Sequence, residues 1–326
     1  MPERPSIVVL RAKPHGIPAE EYHQLLRDRL PDHSVELART PHEERELITD
    51  ADIATGIRFD PVLLDHAEAL RLFACGAAGV DHLPLERLAE AGVALTNASG
   101  VHGPNIAEHV LGSLLVFARG LHRAWARQER AEWRHERSFG ELQGSTVTVV
   151  GLGAIGEAIV DRLSPFGVPT IGVRHTPEKG GPTDEVVGYG NDPFHDALAR
   201  TDYLVLACPL SETTRGLVGA EELRTLPPSA VLVNVARGPV VDTEALLGAL
   251  RNFSQLRGAA LDVTDPEPLP NDHPLWDLGN VLLTPHCAGD TPQYWERLAD
   301  IVVENVERVE STGTYDGLRN QVLPRE

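Results

Sequence analysis

The chain of 326 residues has only two lysines, Lys13 and Lys179, one methionine, three cysteines and few aromatic side chains. No apolar run approaches the ~18 residues that span a bilayer, so a membrane-spanning helix is not expected. The N-terminal stretch MPERPSIVVLRAKP lacks the apolar core of a secretory leader, and the reading is of a soluble cytoplasmic protein. Cys75, Cys208 and Cys287 are odd in number and widely spaced. They suit reduced thiols better than a disulfide frame or a zinc site, and no metal is expected. Basic residues are short as well: 29 Lys and Arg stand against 48 Asp and Glu, a formal net charge of −19. Such a surface argues against nucleic acid or an anionic membrane as partner, because affinity there comes from phosphates neutralised by Lys and Arg. Carboxylate excess with almost no lysine has two readings, a halophilic interior rich in salt or a coding bias toward arginine.

Hydrophobic residues make up 42% of the chain and charged residues 24%, which places it among globular proteins. The length suggests two domains, each with its own core. Short β-branched runs alternate with amphipathic stretches, the pattern of a parallel α/β architecture. Residues 6–10, 53–56, 70–75 and 93–97 read as strands, with helical patterns at 22–30 and 83–91. A helix is expected over 105–119, where Ile106, Val110, Leu114 and Phe117 recur at three- and four-residue steps, and an Arg-rich helix over 121–133. A second run of strands follows at 145–150, 168–173, 203–207, 230–235, 258–262 and 281–284. The chain then returns to a helix, with Thr291 as expected N-cap, Pro292 at its first position, and Leu298, Val302, Val306 and Val309 on its apolar face. The second α/β unit, 101–290, thus reads as inserted into a first made of 1–100 and 291–326.

Gly151-Leu152-Gly153-Ala154-Ile155-Gly156 directly follows the strand at 145–150 and opens a helix. In that setting the glycines allow a tight turn, close approach of backbone to a pyrophosphate and helix–strand contact, while amides at the helix start face the phosphates. The motif therefore predicts a Rossmann-like dinucleotide site. An NAD site usually places an acid about 20 residues on, at the end of the next strand, for the ribose 2′-hydroxyl. Here that place holds Arg174, His175 and Thr176. A guanidinium pairs with a 2′-phosphate and stacks on adenine, so NADP is expected over NAD, with NAD possible.

Three further strand ends carry chemistry-bearing residues: Arg237 in VNVARG, Asp262 and Glu267 in LDVTDPEP, and His286 in TPHCAG. Ligands of open parallel sheets bind beyond the carboxyl ends of strands, where all three are expected. From about FACGAAGVD (residues 73–81) to the final helix, the chain resembles the D-isomer-specific 2-hydroxyacid dehydrogenase family. GLGAIG, CPLSETTRGLV, VNVARG, LDV followed by EP, and TPHCAG come in the family's order and spacing. The first 70 residues match only in general pattern.

The resemblance implies two doubly wound parallel-sheet domains, a Rossmann-like cofactor domain within a flavodoxin-like substrate domain. It implies a catalytic triad of Arg237, Glu267 and His286, and a substrate carboxylate held by Arg237 and the amides of Gly76, Ala77, Ala78 and Gly79. It places Cys208, Pro209 and Thr214 at the cofactor ribose, Asp262 at the nicotinamide amide, and Val235 and Ala236 in the cofactor site. The chemistry gives its own reasons for these types. Hydride arriving at a 2-oxo acid leaves charge on the carbonyl oxygen, and histidine can deliver a proton there near neutral pH. Glu267 would orient His286 and favour its imidazolium, and Arg237 would grip the carboxylate and polarise the carbonyl. The expected activity is reduction of small 2-oxo acids to D-2-hydroxy acids, and the 105–133 region resembles the family's dimer-forming part, so a homodimer is expected. Three alternatives stay open: a formate dehydrogenase, against which Glu267 speaks because that branch carries Gln beside its His; a phosphite-type activity, which the triad alone does not exclude; and an NAD(P)H-sensing, corepressor-like binding protein. Since the cofactor is itself a polyanion, the net charge must be overcome locally, by glycine-loop amides, Arg174 and Thr176.

Overall fold

The computed structural model describes residues 4–13, 16–80, 82–135, 139–252 and 255–324. The chain forms two compact units, Met1–His102 with Asp290–Glu326, and Gly103–Gly289. In the first, strands β1 (Ile7–Val9), β2 (Val35–Leu37), β3 (Ile53–Gly56), β4 (Leu72–Cys75) and β5 (Ala94–Thr96) lie parallel in the order 2-1-3-4-5, the flavodoxin-like arrangement. Every residue of β1, β3, β4 and β5 is buried, as expected of parallel strands covered on both faces. β2 lies at the sheet edge and alternates, with Val35 and Leu37 in and Glu36 out. Its three residues were not legible as a strand in the sequence.

Helices α1 (Ala19–Arg29), α2 (Pro41–Leu47) and α3 (Leu85–Glu90) follow β1, β2 and β4. The core on one side of the sheet joins Tyr22 and Leu26 of α1 to Leu298, Val302 and Val306 of the last helix. That helix begins at Tyr294 and runs to Thr312, so Thr291 is not its N-cap and Pro292 is not its first residue. Thr291 instead spends its hydroxyl on the amide of Gln293, at 3.2 Å, in a turn that delays the helix. After Gly313, in the left-handed conformation with φ 69°, a last strand (Gln321–Leu323) runs antiparallel to β5 and departs from the all-parallel expectation.

The second unit opens with α4 (Gly103–Arg119) and α5 (Leu121–Gln128). Gly120, with φ 64°, breaks one from the other, and α5 ends five residues short of the expected Trp133. Strands β6 (Val147–Val150), β7 (Thr170–Val173), β8 (Glu185–Val187), β9 (Tyr203–Leu206), β10 (Val231–Asn234), β11 (Gly258–Leu261) and β12 (Val281–Leu283) form one parallel sheet. Counted from its own first strand the order is 3-2-1-4-5-6-7, which extends the Rossmann order by one strand. Successive residues serve opposite faces: Val149 and Val205 pack with α4 and α6 (Ala154–Leu163), while Val150 and Leu206 pack with α9 (Thr243–Arg251). Helices α7 (Asn191–Leu198) and α8 (Ala220–Thr225) complete the layers, and the last helix and last strand of the chain are α10 and β13. Among the described residues no helix is long and apolar enough to cross a membrane, and no group of three His, Cys, Asp or Glu is placed to hold a metal ion.

Candidate active site

The switch point of the second sheet lies between β6 and β9, and the glycine loop leaves β6 there. Its three glycines have separate reasons. Gly151 has φ 99°, and a Cβ on it would stand 2.6 Å from the backbone of Cys208. Gly156 sits on α6 so close to the strand end that its Cβ would meet the Gly151 carbonyl oxygen at 1.9 Å. Gly153, just ahead of the helix, meets nothing within 4 Å and is exposed. Two glycines thus close the turn and the helix contact, and the third leaves the helix start bare, as a pyrophosphate cradle requires. Ala154 and Ile155 form the first turn of α6 above it. These residues fit a dinucleotide.

A cavity of about 270 Å³ opens beside the loop. Of the expected residues, Gly151, Gly153, Arg174, His175, Thr176, Pro209 and Thr214 line it; Leu152, Lys179, Tyr189, Ser211 and Thr213 complete the wall. Arg174 at the end of β7 is steadied by Nη1, which donates to the Gly180 carbonyl at 2.6 Å. Lys179, one of the two lysines, was not singled out in the sequence; the turn Pro177–Lys179 brings it to the lining of the same cavity as Arg174. The buried Thr214 hydroxyl donates to the Pro209 carbonyl at 2.6 Å and accepts from the Ser211 amide at 2.8 Å, which fixes the 209–214 part of the lining. Burial pushes the Tyr189 phenol up to about 12, with Cys208 nearby adding to it, and pushes the Cys208 thiol up to about 11, so both stay neutral at ordinary pH. The Cys208 thiol is buried and does not line the cavity; what this residue brings to the loop is its backbone against Gly151.

At the far strand ends, Asp262 organises the histidine loop. Its Oδ1 accepts from the Thr284 hydroxyl at 2.6 Å and the Cys287 amide at 3.0 Å, and its Oδ2 accepts from the Ala288 amide at 3.0 Å. The Asp262 carbonyl takes the His286 amide at 2.8 Å. So held, His286 adopts φ 53°, a conformation uncommon outside glycine. Its Nδ1 meets Glu267 Oε1 at 2.5 Å, an ion-pair geometry that leaves Nε2 outside the pair. Both side chains are about half exposed. Glu267 lies between Pro266 and Pro268, and both peptide bonds into those prolines are cis.

Arg237 follows Val235 and Ala236 at the end of β10, and its Nη1 donates to the Ala236 carbonyl at 2.7 Å. Asn234 ties this turn with Nδ2 to the Arg237 carbonyl and Oδ1 from the Ala236 amide, both at 3.0 Å. Gly238 then packs so tightly that a Cβ would meet the Thr264 carbonyl oxygen at 2.0 Å, which seats the Arg237 turn against the segment leading to Glu267. The structure therefore brings His286 and Glu267 together and sets the Arg237 turn beside the Glu267 segment. Among the described residues no hydrogen bond or ion pair joins the Arg237 side chain to either partner.

The 76–79 loop belongs to the first unit, directly after β4. The Gly76 amide donates to the Gly56 carbonyl at 2.8 Å, and the Ala77 amide to Cys75 Sγ at 3.3 Å. Burial pushes the Cys75 thiol up to about 11, so it is a neutral partner. Asp81, which closes the FACGAAGVD stretch, lies outside the described residues.

A family model for the D-isomer specific 2-hydroxyacid dehydrogenase, NAD binding domain, matches residues 111–288. A glyoxylate reductase of Pyrococcus furiosus is 34% identical over 257 residues, 76% of this chain and 75% of that protein. A D-3-phosphoglycerate dehydrogenase of Methanocaldococcus jannaschii is 34% identical over 275 residues, 83% of this chain, which spans about half (52%) of that longer protein. Among solved structures, a D-isomer specific 2-hydroxyacid dehydrogenase of Xanthobacter autotrophicus Py2, in complex with NADPH and MES, superposes with a TM-score of 0.81 at 29% identity, covering 99% of each chain.

Proposed function

The chain belongs to the D-isomer specific 2-hydroxyacid dehydrogenase family, and on that premise we propose that it reduces a small 2-oxo acid to the D-2-hydroxy acid with NADPH in preference to NADH. The observation that carries the reading is the His286–Glu267 pair, presented on a loop that Asp262 anchors beyond the ends of β11 and β12. A reduced nicotinamide, when bound, supplies the hydride. The residues of the chain supply the rest. Glu267 holds the Nδ1 proton, so the Nε2 proton of His286 is the one delivered to the oxygen of the forming alcohol. The same pair takes a proton from the alcohol in the reverse direction. Arg237 and the amides of Ala78 and Gly79 bind the carboxylate, the Gly76 and Ala77 amides expected beside them being spent on the Gly56 carbonyl and Cys75 Sγ, and the Arg237 charge polarises the neighbouring carbonyl. Asp262 fixes the histidine loop with three hydrogen bonds, and whatever it offers the nicotinamide amide is additional to that duty.

The preference for NADPH is supported by Arg174 and Lys179 in the lining of the glycine-loop cavity, where an acid would repel a 2′-phosphate. The Xanthobacter relative was solved with NADPH. A homodimer belongs to the same reading. It is supported by the apolar surface at and after α5, where Trp125 is 53% exposed, Trp133 99% and Phe139 55%.

The test is turnover of glyoxylate, pyruvate, hydroxypyruvate and branched 2-oxo acids, each with NADPH and with NADH, for the wild type and His286→Ala. At least one oxo acid should be reduced with a higher kcat/KM for NADPH, and His286→Ala should lose activity by about 100-fold or more while binding NADPH nearly as well. Near-normal turnover by His286→Ala removes the proton-transfer role, and equal use of the two cofactors removes the NADPH preference. Tight NADPH binding with no turnover of any oxo acid points to the sensing protein instead.

A further inference from the structure

The three carbonyls that open the 76–79 loop are bonded from two parts of the first unit, the start of the last helix and the segment 97–98 after β5. The hydroxyl of Tyr294, at the start of α10, donates to the Gly76 carbonyl. The Ala98 amide donates to the Ala77 carbonyl at 3.0 Å. Asn97 Nδ2 donates to the Ala78 carbonyl at 2.7 Å. The peptide bonds here are trans, and a trans peptide points its C=O and the following N–H to opposite sides. Fixing the Ala77 carbonyl therefore turns the Ala78 amide the other way, and fixing the Ala78 carbonyl does the same for the Gly79 amide. Among the described residues no acceptor meets either amide, and Gly79 is exposed. Two neighbouring amides aimed outward on one rigid turn make a receptor for an anion.

The anchor at Tyr294 is itself fixed. The side chain is 2% exposed, and its ring lies 4.8 Å from Trp295 and 5.5 Å from His102. Trp295 stacks on Tyr22 at 4.6 Å, and the Tyr22 hydroxyl bonds Thr55 Oγ1 at 3.0 Å. Thr55 in turn donates to the Ala74 carbonyl, at 3.0 Å, on the strand that leads into the loop. Burial, with Tyr22 and Cys75 beside it, raises the Tyr294 phenol above its ordinary range, so it remains a donor. A Cβ at position 76 would stand 2.9 Å from the Tyr294 oxygen, so glycine is what lets the hydroxyl reach the loop.

We infer that Tyr294 and Asn97 are positioning residues that hold the loop so that the Ala78 and Gly79 amides receive the substrate carboxylate, an inference that rests on the oxo-acid reading above. Neither touches the reacting atoms. The test uses Tyr294→Phe and Asn97→Ala in the full chain with NADPH, against glyoxylate and its uncharged methyl ester, with oxalate binding to the NADP-loaded protein measured by calorimetry. Loss of one buried hydrogen bond should raise KM for glyoxylate about five- to tenfold, leave kcat within about twofold and weaken oxalate by the same factor. Reduction of the ester should stay as in the wild type, so that the preference for acid over ester shrinks by that factor. An unchanged KM and oxalate affinity overturn the assignment, and so does an equal loss on acid and ester, which marks a general structural defect. If the wild type reduces no oxo acid yet its oxalate affinity falls in Tyr294→Phe, the loop assignment stands and the reductase reading fails. If the wild type neither reduces an oxo acid nor binds oxalate, both fail.

Discussion

His286 holds a left-handed backbone that costs a side-chain-bearing residue about 1–3 kcal/mol, and it does so on a loop secured by a buried carboxylate. The cost goes into aim: the imidazole is turned to Glu267 by one nitrogen, and the other is left outside that pair. At the cofactor end, aim comes from Arg174, tied by Nη1 to Gly180, with Lys179 in the same lining. If both meet a 2′-phosphate, Arg174→Ala and Lys179→Ala should each lower kcat/KM for NADPH by about tenfold and leave that for NADH within about twofold. Steady-state kinetics with both cofactors check this; parallel losses on the two would deny these cations a part in discrimination. Arg174 was visible in the sequence because it stands where a strand end follows the glycine motif. Lys179 was not, since it depends on a turn whose shape no spacing rule gives. Asp262 was legible as a strand-end acid, but its part in building the histidine loop appears only once Thr284, Cys287 and Ala288 are folded around it. Tyr294 and Asn97 gave no sign of their bonds to the 76–79 loop, because those partners are brought close by the sheet and not by local sequence.

Among the elements, the turn from β6 into α6 separates packing from binding within a few residues. Gly156→Ala drives a methyl into the Gly151 carbonyl, 1.9 Å away, and should cost about 1–3 kcal/mol of stability, seen as a lower melting temperature. Gly153→Ala meets nothing within 4 Å and should melt as the wild type does, yet bind NADPH at least tenfold (~1.4 kcal/mol) more weakly, because its methyl stands where the pyrophosphate approaches. Thermal melting and cofactor titration of the two variants check both halves, and a Gly153→Ala protein that binds normally would remove this loop from the cofactor site. The central strands were legible to within a residue or two, since β6, β9 and β10 are buried along their whole length and read as short runs dominated by Val and Leu. Of the edge strands, β12 was legible at 281–284, but β2, β8 and β13 were not. β2 and β8 are three residues each, β2 alternating in burial and β8 half-buried throughout, and β13 pairs antiparallel through a register shift. The start of α10 was misplaced for a local reason, since a threonine before a proline serves a turn as well as a cap, and here Thr291 serves the turn.

For the molecule as a whole, the net charge of −19 sets conditions more than chemistry. Self-repulsion among surface carboxylates is relieved by salt, whose screening length falls from ~10 Å at 0.1 M to ~3 Å at 1 M. The melting temperature should therefore rise with NaCl over that range, and sedimentation in the same series should show a species of two chains throughout. A melting temperature that only declines would tell against the halophilic reading, and a single-chain species would tell against the dimer. The division of the chain has a consequence of another kind, for synthesis. The second unit is one continuous stretch, Gly103–Gly289, whose sheet contains no strand from outside it. The first is split, and its core joins Tyr22, Leu26 and Leu72 to Tyr294, Leu298 and Val302, which are made more than 220 residues later. On the ribosome the later-coded unit can finish folding first, while the first hundred residues wait with an apolar face uncovered. The half that begins the chain is thus the last to be completed, and any helper that shields nascent apolar surface would be needed there.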